Sequence, residues 1–310
     1  MFVHPLASQM ENWHKEHNGV WDDPEWAAYL AEFQALVSSK TTELLEVHDN
    51  AGKFGMSKSG GCTRAAALKL LGAEGEHFSG STRTTFFIGH LVECMAIATL
   101  KALGYDVQGT QLPLETEFFR SYTDGVITDF EGKPTMLSVK SAGYKKSGRE
   151  RRGNDWKWVR RGFPELPFAG VLKAQPGHYA QMQAEMYAHG TKQALYLVVA
   201  KDIIKNMEED PYLGEGGNGS LTFYAEVVPY NEDFVYNQLL STWQEQWEQV
   251  QQGRAGKARY INTAGVYGEL KPASTGREPN AAVTGTFNPC EYCDLVAACK
   301  TNLLQSFRRR

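Results

Sequence analysis

The segment "MLSVKSAG" (136–143) places a lysine at the end of an otherwise apolar, β-branched stretch. Upstream, "SYTDGVITD" places Asp124 at a similar strand-to-turn position. Such runs between Gly, Asp and Pro predict strands, and two antiparallel strands would bring Asp124 next to Lys140. A carboxylate that binds a divalent metal beside a lysine that steadies or deprotonates a water is the minimum for hydrolysing a phosphodiester. The plainer interpretation is a solvated lysine at a strand end and an aspartate in a turn.

Three of the five cysteines fall within ten residues near the C-terminus, in "NPCEYCDLVAACK". The close pair of this Cys-x2-Cys-x5-Cys pattern can chelate one metal or cluster, and the third thiolate can close round it. Cys62, in a loop-to-helix segment, is a better fourth ligand than Cys94, which is typical of a buried small hydrophobe. Four thiolates suit zinc or a 4Fe–4S cluster, and the spacing leaves both open. Unligated surface cysteines are the alternative.

The segment 144–161 is strongly basic. It carries eight Lys and Arg against Glu150 and Asp155, a surplus of six, with two tryptophans interleaved. Basic side chains neutralise phosphates and tryptophans stack on unpaired bases, so the segment predicts a nucleic-acid contact; the alternative is a solvated charged loop. The candidate contact residues are Lys145, Lys146, Arg149, Arg151, Arg152, Trp156, Lys157, Trp158, Arg160 and Arg161.

Two predicted helices carry further candidates. In "FFIGHLVECMAIATLKALG", helical from about 88 to 103, His90 and Glu93 are three apart and share one face. In "QMQAEMY", Gln183 and Tyr187 are four apart, so both could reach a phosphate or a base. Taken alone, this second pair is equally typical of a helix surface with a partly buried tyrosine.

The order of the elements indicates an α/β protein. Predicted helices at the N-terminus precede a strand-rich block, a helix beginning at Pro176, two strands, and a long helix capped by Asn231. The continuous apolar run "QALYLVVAKD" is expected of a strand buried on both faces. The order therefore predicts a mixed central sheet flanked by helices.

Composition limits the class of protein. A net charge of -4 and a pI of about 6.1 show no global basicity, so any nucleic-acid contact must be local. No run of about 18 apolar residues is present, so no transmembrane helix is expected. The N-terminus lacks the pattern of a secretory signal, which favours a cytoplasmic protein without disulfides. The chain has no Gly-x4-Gly-Lys-Ser/Thr loop, so we do not expect a helicase.

In their order along the chain, these features resemble the RecB-type branch of the PD-(D/E)XK nuclease superfamily. They are a cysteine before a helix, Gly-His then Glu, an Asp, a strand ending in x-Lys, Gln-x3-Tyr, and the terminal cysteines. Within that branch the chain is similar to the iron–sulfur members: CRISPR-adaptation exonucleases, the AddB nuclease domain and the nuclease domain of Dna-two-type helicases. The similarity covers about 57–300, leaving 1–56 as a helical extension and 301–310 as a basic tail.

The resemblance implies a restriction-endonuclease-like core and a role for each matching residue. His90 and Asp124 would bind a magnesium or manganese ion, assisted by the backbone carbonyl of Val139. Lys140 would orient or activate the attacking water. Gln183 and Tyr187 would contact nucleic acid and support the site. A 4Fe–4S cluster would be held by Cys62, Cys290, Cys293 and Cys299.

The activity that the resemblance implies is that of a metal-dependent DNA exonuclease acting on single-stranded or free ends. Recombination, repair and phage DNA processing are the implied settings. A helicase or a recombinase of the strand-annealing type is a conceivable partner.

Ser138 departs from the pattern, which expects Glu or Asp two residues before the lysine. A neutral serine should weaken binding of a hard cation. One explanation is a shifted carboxylate, from Glu93 or from Glu117 on a neighbouring strand. A second is a disabled nuclease-fold protein that still binds DNA. A third is a misplaced motif, with Asp129 or Glu131 as the true acidic position.

Overall fold

The computed structural model of this chain describes residues 4–17, 23–45, 52–73, 80–128, 132–142, 144–152, 155–162, 166–200 and 223–269. For 144–152 and 155–162 it describes the backbone.

Groups of helices and groups of strands follow each other along the described residues. The α-helices there are α1 (Pro5–Glu16), α2 (Pro24–Leu45), α3 (Thr63–Leu70), α4 (Gly80–Ala102), α5 (Leu166–Ala174), α6 (Pro176–His189), α7 (Glu232–Phe234) and α8 (Ser241–Gln251). The strands there are β1 (Phe54–Gly55), β2 (Val107–Gln108), β3 (Pro113–Glu115), β4 (Phe119–Tyr122), β5 (Gly125–Thr128), β6 (Pro134–Ala142), β7 (Tyr144–Arg152), β8 (Asp155–Gly162), β9 (Gln193–Ala200), β10 (Phe223–Pro229), β11 (Arg259–Ile261) and β12 (Tyr267–Glu269).

The main sheet has five strands in the order β10-β9-β6-β5-β2. β6 pairs in parallel with β9 and antiparallel with β5, so the sheet is mixed. A smaller sheet has the order β1-β4-β3, and β7 with β8 and β11 with β12 form separate two-stranded ribbons. This arrangement confirms the prediction of a mixed central sheet flanked by helices.

Two cores cover the two faces of the main sheet, because successive strand residues point to opposite faces. Leu137 and Val139 of β6 belong to the core that includes residues of α1 and α4. Met136 of β6 and Tyr196 of β9 belong to the other core, with residues of α6. Alternate residues of β9 enter both cores, which confirms that the run "QALYLVVA" is buried on both faces.

The N-terminal part is helical, as predicted, but α1 is not peripheral to the core. Leu6, Ala7 and Met10 are buried against α4 and the main sheet. The backbone N–H of His4 donates to the carbonyl of Ala225 in β10 at 2.8 Å. The first described residues are therefore an integral layer of the fold.

Helix α4 is longer and more apolar than expected, beginning at Gly80 rather than near 88. Its Thr84–Ala102 segment is, among the described helices, the one long and apolar enough by composition to cross a membrane. Glu93 and Lys101 interrupt this segment, so it is not a continuous apolar run, and the expectation that the chain has no transmembrane helix stays a prediction. Ala96, Ile97 and Leu100 pack on the main sheet, so the segment serves here as a core helix.

The helix ends follow local signals. Helix α6 starts with Pro176 in its first turn and ends at Gly190, whose φ of 81° is easy only for glycine. The predicted cap at Asn231 is present, because its side chain accepts a hydrogen bond from the Phe234 N–H at 3.0 Å. The long helix predicted after it contains a π-helical stretch, Val235–Leu240, between α7 and α8.

Candidate active site

The structure brings Asp124 and Lys140 together through the antiparallel pairing of β5 and β6. Oδ2 of Asp124 accepts a hydrogen bond from the Val139 N–H at 2.7 Å. The same oxygen lies 3.5 Å from Nζ of Lys140. The two side chains are 20% and 19% exposed, so a solvent molecule or substrate group can still reach them.

Helix α4 contributes His90 and Glu93 on one face, as their spacing predicts. Nδ1 of His90 lies 3.8 Å from Oε2 of Glu93. Oε1 of Glu93 lies 2.9 Å from Nζ of Lys40 on α2 and accepts a hydrogen bond from the Gln111 amide at 3.3 Å. Gln111 has a φ of 60°, which is uncommon for a residue other than glycine and is often found near functional sites.

Helix α6 contributes Glu185, which was not among the candidates from sequence. The residue is 4% exposed. Its Oε1 accepts hydrogen bonds from the Gln181 amide at 2.8 Å and from the Ser121 hydroxyl at 3.4 Å. Burial, reinforced by the negative charge of Asp124, raises the pKa of Glu185 to about 7 although Lys140 opposes the shift.

The charges of these groups are coupled through Lys140. Burial lowers the pKa of Lys140, but Asp124, Glu185 and Glu93 outweigh that effect and the pKa is raised above its ordinary value. Burial raises the pKa of Asp124, and the carboxylate of Glu93 adds to the shift. Lys140 is therefore a charged ammonium group at neutral pH, held among carboxylates.

Burial also favours the neutral form of Glu93, but the interaction with His90 and the charges of Lys40 and Lys140 outweigh it. The pKa of Glu93 is consequently lowered, and the group is a carboxylate at neutral pH. Glu93 was one of the two shifted carboxylates considered for the site, and the charge of Lys140 contributes to its lowered pKa. The other, Glu117, lies exposed between β3 and β4.

Ser138 is fully buried, and its Oγ has no hydrogen-bond partner among the described residues. It pairs in register with Tyr196 of β9. A buried hydroxyl without a partner is uncommon and calls for a local explanation.

Gln183 and Tyr187 lie on the opposite side of α6 from Glu185. Gln183 is fully buried; its amide donates to the Pro229 carbonyl and accepts from the Asn231 N–H, both at 2.8 Å. Gln183 therefore ties α6 to the end of β10, and a contact with nucleic acid would require its exposure. The Tyr187 ring packs edge-on against the Tyr236 ring, with 6.0 Å between the two ring centroids.

The basic segment forms a two-stranded antiparallel ribbon, β7 and β8, directly after β6. Its register places Arg149 opposite Trp158 and Arg151 opposite Trp156. Cationic and aromatic positions are therefore backbone register partners in the ribbon. The ribbon follows the strand that carries Lys140, as the sequence order requires.

The cysteine predictions fall largely outside the described residues. Cys62 is partly exposed at the residue that begins α3, and Cys94 is buried in α4 as predicted. The other implied ligands, Cys290, Cys293 and Cys299, lie outside the described residues, so the iron–sulfur cluster and its zinc alternative stay predictions. Asp129 and Glu131, the positions of the misplaced-motif hypothesis, also lie outside them.

The donor chemistry of the site suits a hard divalent cation, because carboxylate oxygens are the ligands that magnesium and manganese prefer. In the part of the chain that the structure describes, no three His, Cys, Asp or Glu side chains converge closely enough to form a ready metal centre. Lys140 lies against Asp124 and Lys40 against Glu93. A bound cation would therefore neutralise part of the carboxylate charge that these ammonium groups neutralise without it.

No protein-family model and no curated protein sequence matches the chain. Among solved structures, an alkaline exonuclease from Laribacter hongkongensis in complex with dAMP has a TM-score of 0.42 at 11% identity, over 65% of this chain and 89% of its own. The protein SSO0001 has a TM-score of 0.41 at 14% identity, over 87% and 96%. A phage-related exonuclease from Haemophilus somnus 129PT has a TM-score of 0.36 at 16% identity, over 62% and 79%. At these scores the likenesses carry no functional argument.

Proposed function

We propose that the protein is a magnesium- or manganese-dependent deoxyribonuclease that hydrolyses phosphodiester bonds at single-stranded or free DNA ends. The observation that carries the proposal is the contact between Asp124, which directly precedes β5, and Lys140 of β6, with Glu93 electrostatically coupled to both. Carboxylates grouped around a charged lysine at a partly open position suit metal-assisted hydrolysis. A preference for DNA ends rests on the ordered motifs of the sequence.

The side chains present can divide the chemistry between them. Asp124 and Glu93, with His90 beside them and the Val139 carbonyl near, would hold the divalent cation. Such an ion, when bound, supplies Lewis-acid polarisation of a phosphoryl oxygen. Lys140 is protonated, so it would donate a hydrogen bond to the attacking water or a phosphate oxygen and stabilise developing negative charge.

The ribbon of β7 and β8 supports a nucleic-acid substrate. Its basic residues would neutralise phosphates, and Trp156 and Trp158 would stack on unpaired bases. Because β7 follows β6 after a single residue, DNA held by the ribbon would lie close to Lys140. A 4Fe–4S cluster, a helicase or recombinase partner, and a role in recombination, repair or phage DNA processing complete the proposal from the sequence resemblance.

A catalytically disabled DNA-binding protein is the second candidate. Two observations favour it: Ser138 stands where an acid is expected, and the described residues contain no ready cluster of three metal ligands. Such a protein would bind DNA in a salt-dependent manner without cutting it.

The test is degradation of end-labelled single-stranded DNA by the anaerobically purified full chain, with magnesium, manganese or EDTA. We expect metal-dependent degradation that Asp124→Asn and Lys140→Met each reduce by roughly 100-fold or more, because each removes a charge that the transition state needs. Asp233→Asn, an exposed residue of α7, is the matched control and should retain activity.

Salt-sensitive DNA binding without metal-dependent cutting would favour the disabled-nuclease candidate instead. Cutting that survives both Asp124→Asn and Lys140→Met would overturn the assignment of the site.

A further inference from the structure

We propose that Glu185 of α6 supplies the carboxylate that β6 lacks at Ser138, and that Glu185 is a ligand of the divalent cation. This inference rests on the proposed function and names the residue that completes its site.

The first observation concerns the face of β6. Residues 138 and 140 alternate along the strand with Leu137 and Val139, which face the core of α1 and α4. Tyr196, the register partner of Ser138, lies in the other core, together with Met182 and Met186 of α6. An acid at 138 would therefore face the side of the sheet that α6 covers.

The second observation is how α6 is held against that face. His178, Gln181 and Glu185 are spaced three and four apart, so they form one row along the helix. Nδ1 of His178 lies 2.6 Å from the hydroxyl of Tyr196, next to Ser138 in the sheet. At the other end of the row, Ser121 of β4, three residues before Asp124, donates to Glu185.

The third observation is the environment of the carboxyl group. Glu185 is 4% exposed, yet among the described residues it makes no ion pair, and its partners Gln181 and Ser121 are neutral. Both hydrogen bonds go to Oε1, and no described residue donates to Oε2. A buried carboxylate without a direct cationic partner is costly, and glutamine would serve a purely structural role better.

The charges of Lys140 and Asp124 both act on Glu185, so the three groups share one electrostatic environment. An additional acid at 138 would place a second carboxylate on the side of the sheet that α6 covers, in the same electrostatic environment as Glu185. Like charges so placed repel each other. A serine at 138 is therefore compatible with a site whose acid comes from the helix.

The test measures metal binding apart from catalysis. Manganese affinity of the full chain, without DNA, is determined by calorimetric titration and by the loss of the free-ion electron paramagnetic resonance signal. We expect Glu185→Gln to weaken manganese binding at least about tenfold, since even residues that only support metal ligands cost about 10- to 100-fold.

Glu226→Gln is the matched control, because Glu226 is also an internal carboxylate, bonded to the Tyr224 hydroxyl at 2.6 Å and the Val171 N–H at 2.8 Å. Its manganese affinity should equal that of the unmodified chain. Adding Ser138→Glu to Glu185→Gln should restore both affinity and cutting, because the acid then returns to the strand. Glu185→Asp keeps the charge and is the substitute variant if Glu185→Gln does not fold. It should bind manganese more weakly than the unmodified chain.

The outcomes separate this inference from the proposed function. If the unmodified chain binds manganese and cuts DNA but Glu185→Gln does both equally well, Glu185 is not a ligand and the proposed function stands. If the unmodified chain neither binds manganese nor cuts, the proposed function fails, and this inference fails with it.

Discussion

Asp124 is oriented by the backbone as much as by its charged neighbour. The Val139 N–H holds Oδ2 at 2.7 Å, closer than the 3.5 Å to the Lys140 ammonium. Because that N–H belongs to β6, strand pairing itself sets the direction of the carboxylate. Hydrogen bonds that fix a reacting group in place reduce the reorganisation needed during catalysis.

His178 should make the stability of the protein sensitive to acid. Burial lowers the pKa of His178 to about 3, and the positive charge of Lys140 adds to the shift. In the unfolded chain a histidine titrates near about 6.5, so below that pH the unfolded state binds a proton that the folded state does not. Stability is therefore fully present above about pH 6.5 and is lost as the pH falls toward about 3.

His178→Gln removes this titration. We expect it to lessen the loss of unfolding free energy between about pH 7 and about pH 4 by about 3 kcal/mol, measured by urea denaturation. An equal acid-induced loss in the variant and the unmodified chain would show that His178 is already charged, or exposed, in the folded state.

At the scale of elements, the start of α6 touches the loop before α3. A Cβ on Gly60 would lie 2.1 Å from Cα of Gly177, a distance that backbone atoms cannot accommodate. A Cβ on Gly177 would instead meet the Gly60 carbonyl oxygen at 3.5 Å, which is an ordinary contact. The loop that leads to Cys62 is thus packed against the helix that carries Glu185.

Two alanine substitutions test this contact as a matched pair. Gly60→Ala should lower the unfolding free energy by about 1–3 kcal/mol, since the helix or the loop must move to admit the methyl group. Gly177→Ala, in the first turn of α6, should be neutral or stabilise by up to about 1 kcal/mol. Denaturant titration of both variants measures the difference, and equal effects would mean that the two segments are not in contact.

At the scale of the whole molecule, the predicted cluster would join Cys62 to a cysteine group more than 200 residues away. A link across so long a loop restricts the unfolded chain strongly. Cys62 directly precedes α3, whose Thr63 and Arg64 bond to the backbone of 255–259. Residues 255–259 are thereby held next to the start of α3.

We expect the anaerobically purified protein to be brown, with absorbance near about 400 nm typical of a 4Fe–4S cluster. Cys293→Ser should remove the colour and lower the thermal unfolding midpoint, whereas Cys94→Ala, at a buried position of α4, should keep the colour. A colourless protein that contains zinc would replace the iron–sulfur prediction with the zinc alternative.

Sequence reasoning predicted the parts of the site that depend on short separations along the chain. Asp124 and Lys140 lie on adjacent strands joined by one turn, and His90 and Glu93 lie one turn apart on a helix, so local geometry brings each pair together. The mixed sheet also followed from the order and apolar pattern of its strands. The polar row of α6 that faces the sheet could not be predicted in this way. Gln183 and Glu185 both lie in the predicted helix, and only packing sets which of them the rotation of the helix turns toward the sheet.

Which groups distant in sequence come together depends on how whole helices and strands pack. Lys40 reaches Glu93 because α2 packs on α4, and α1 enters the core through contacts with β10, which is more than 200 residues away. Glu185 is electrostatically coupled to Lys140 because α6 is tied to β9 through His178 and to β4 through Ser121. Such contacts arise from the packing of complete elements, and no local pattern of residues encodes them.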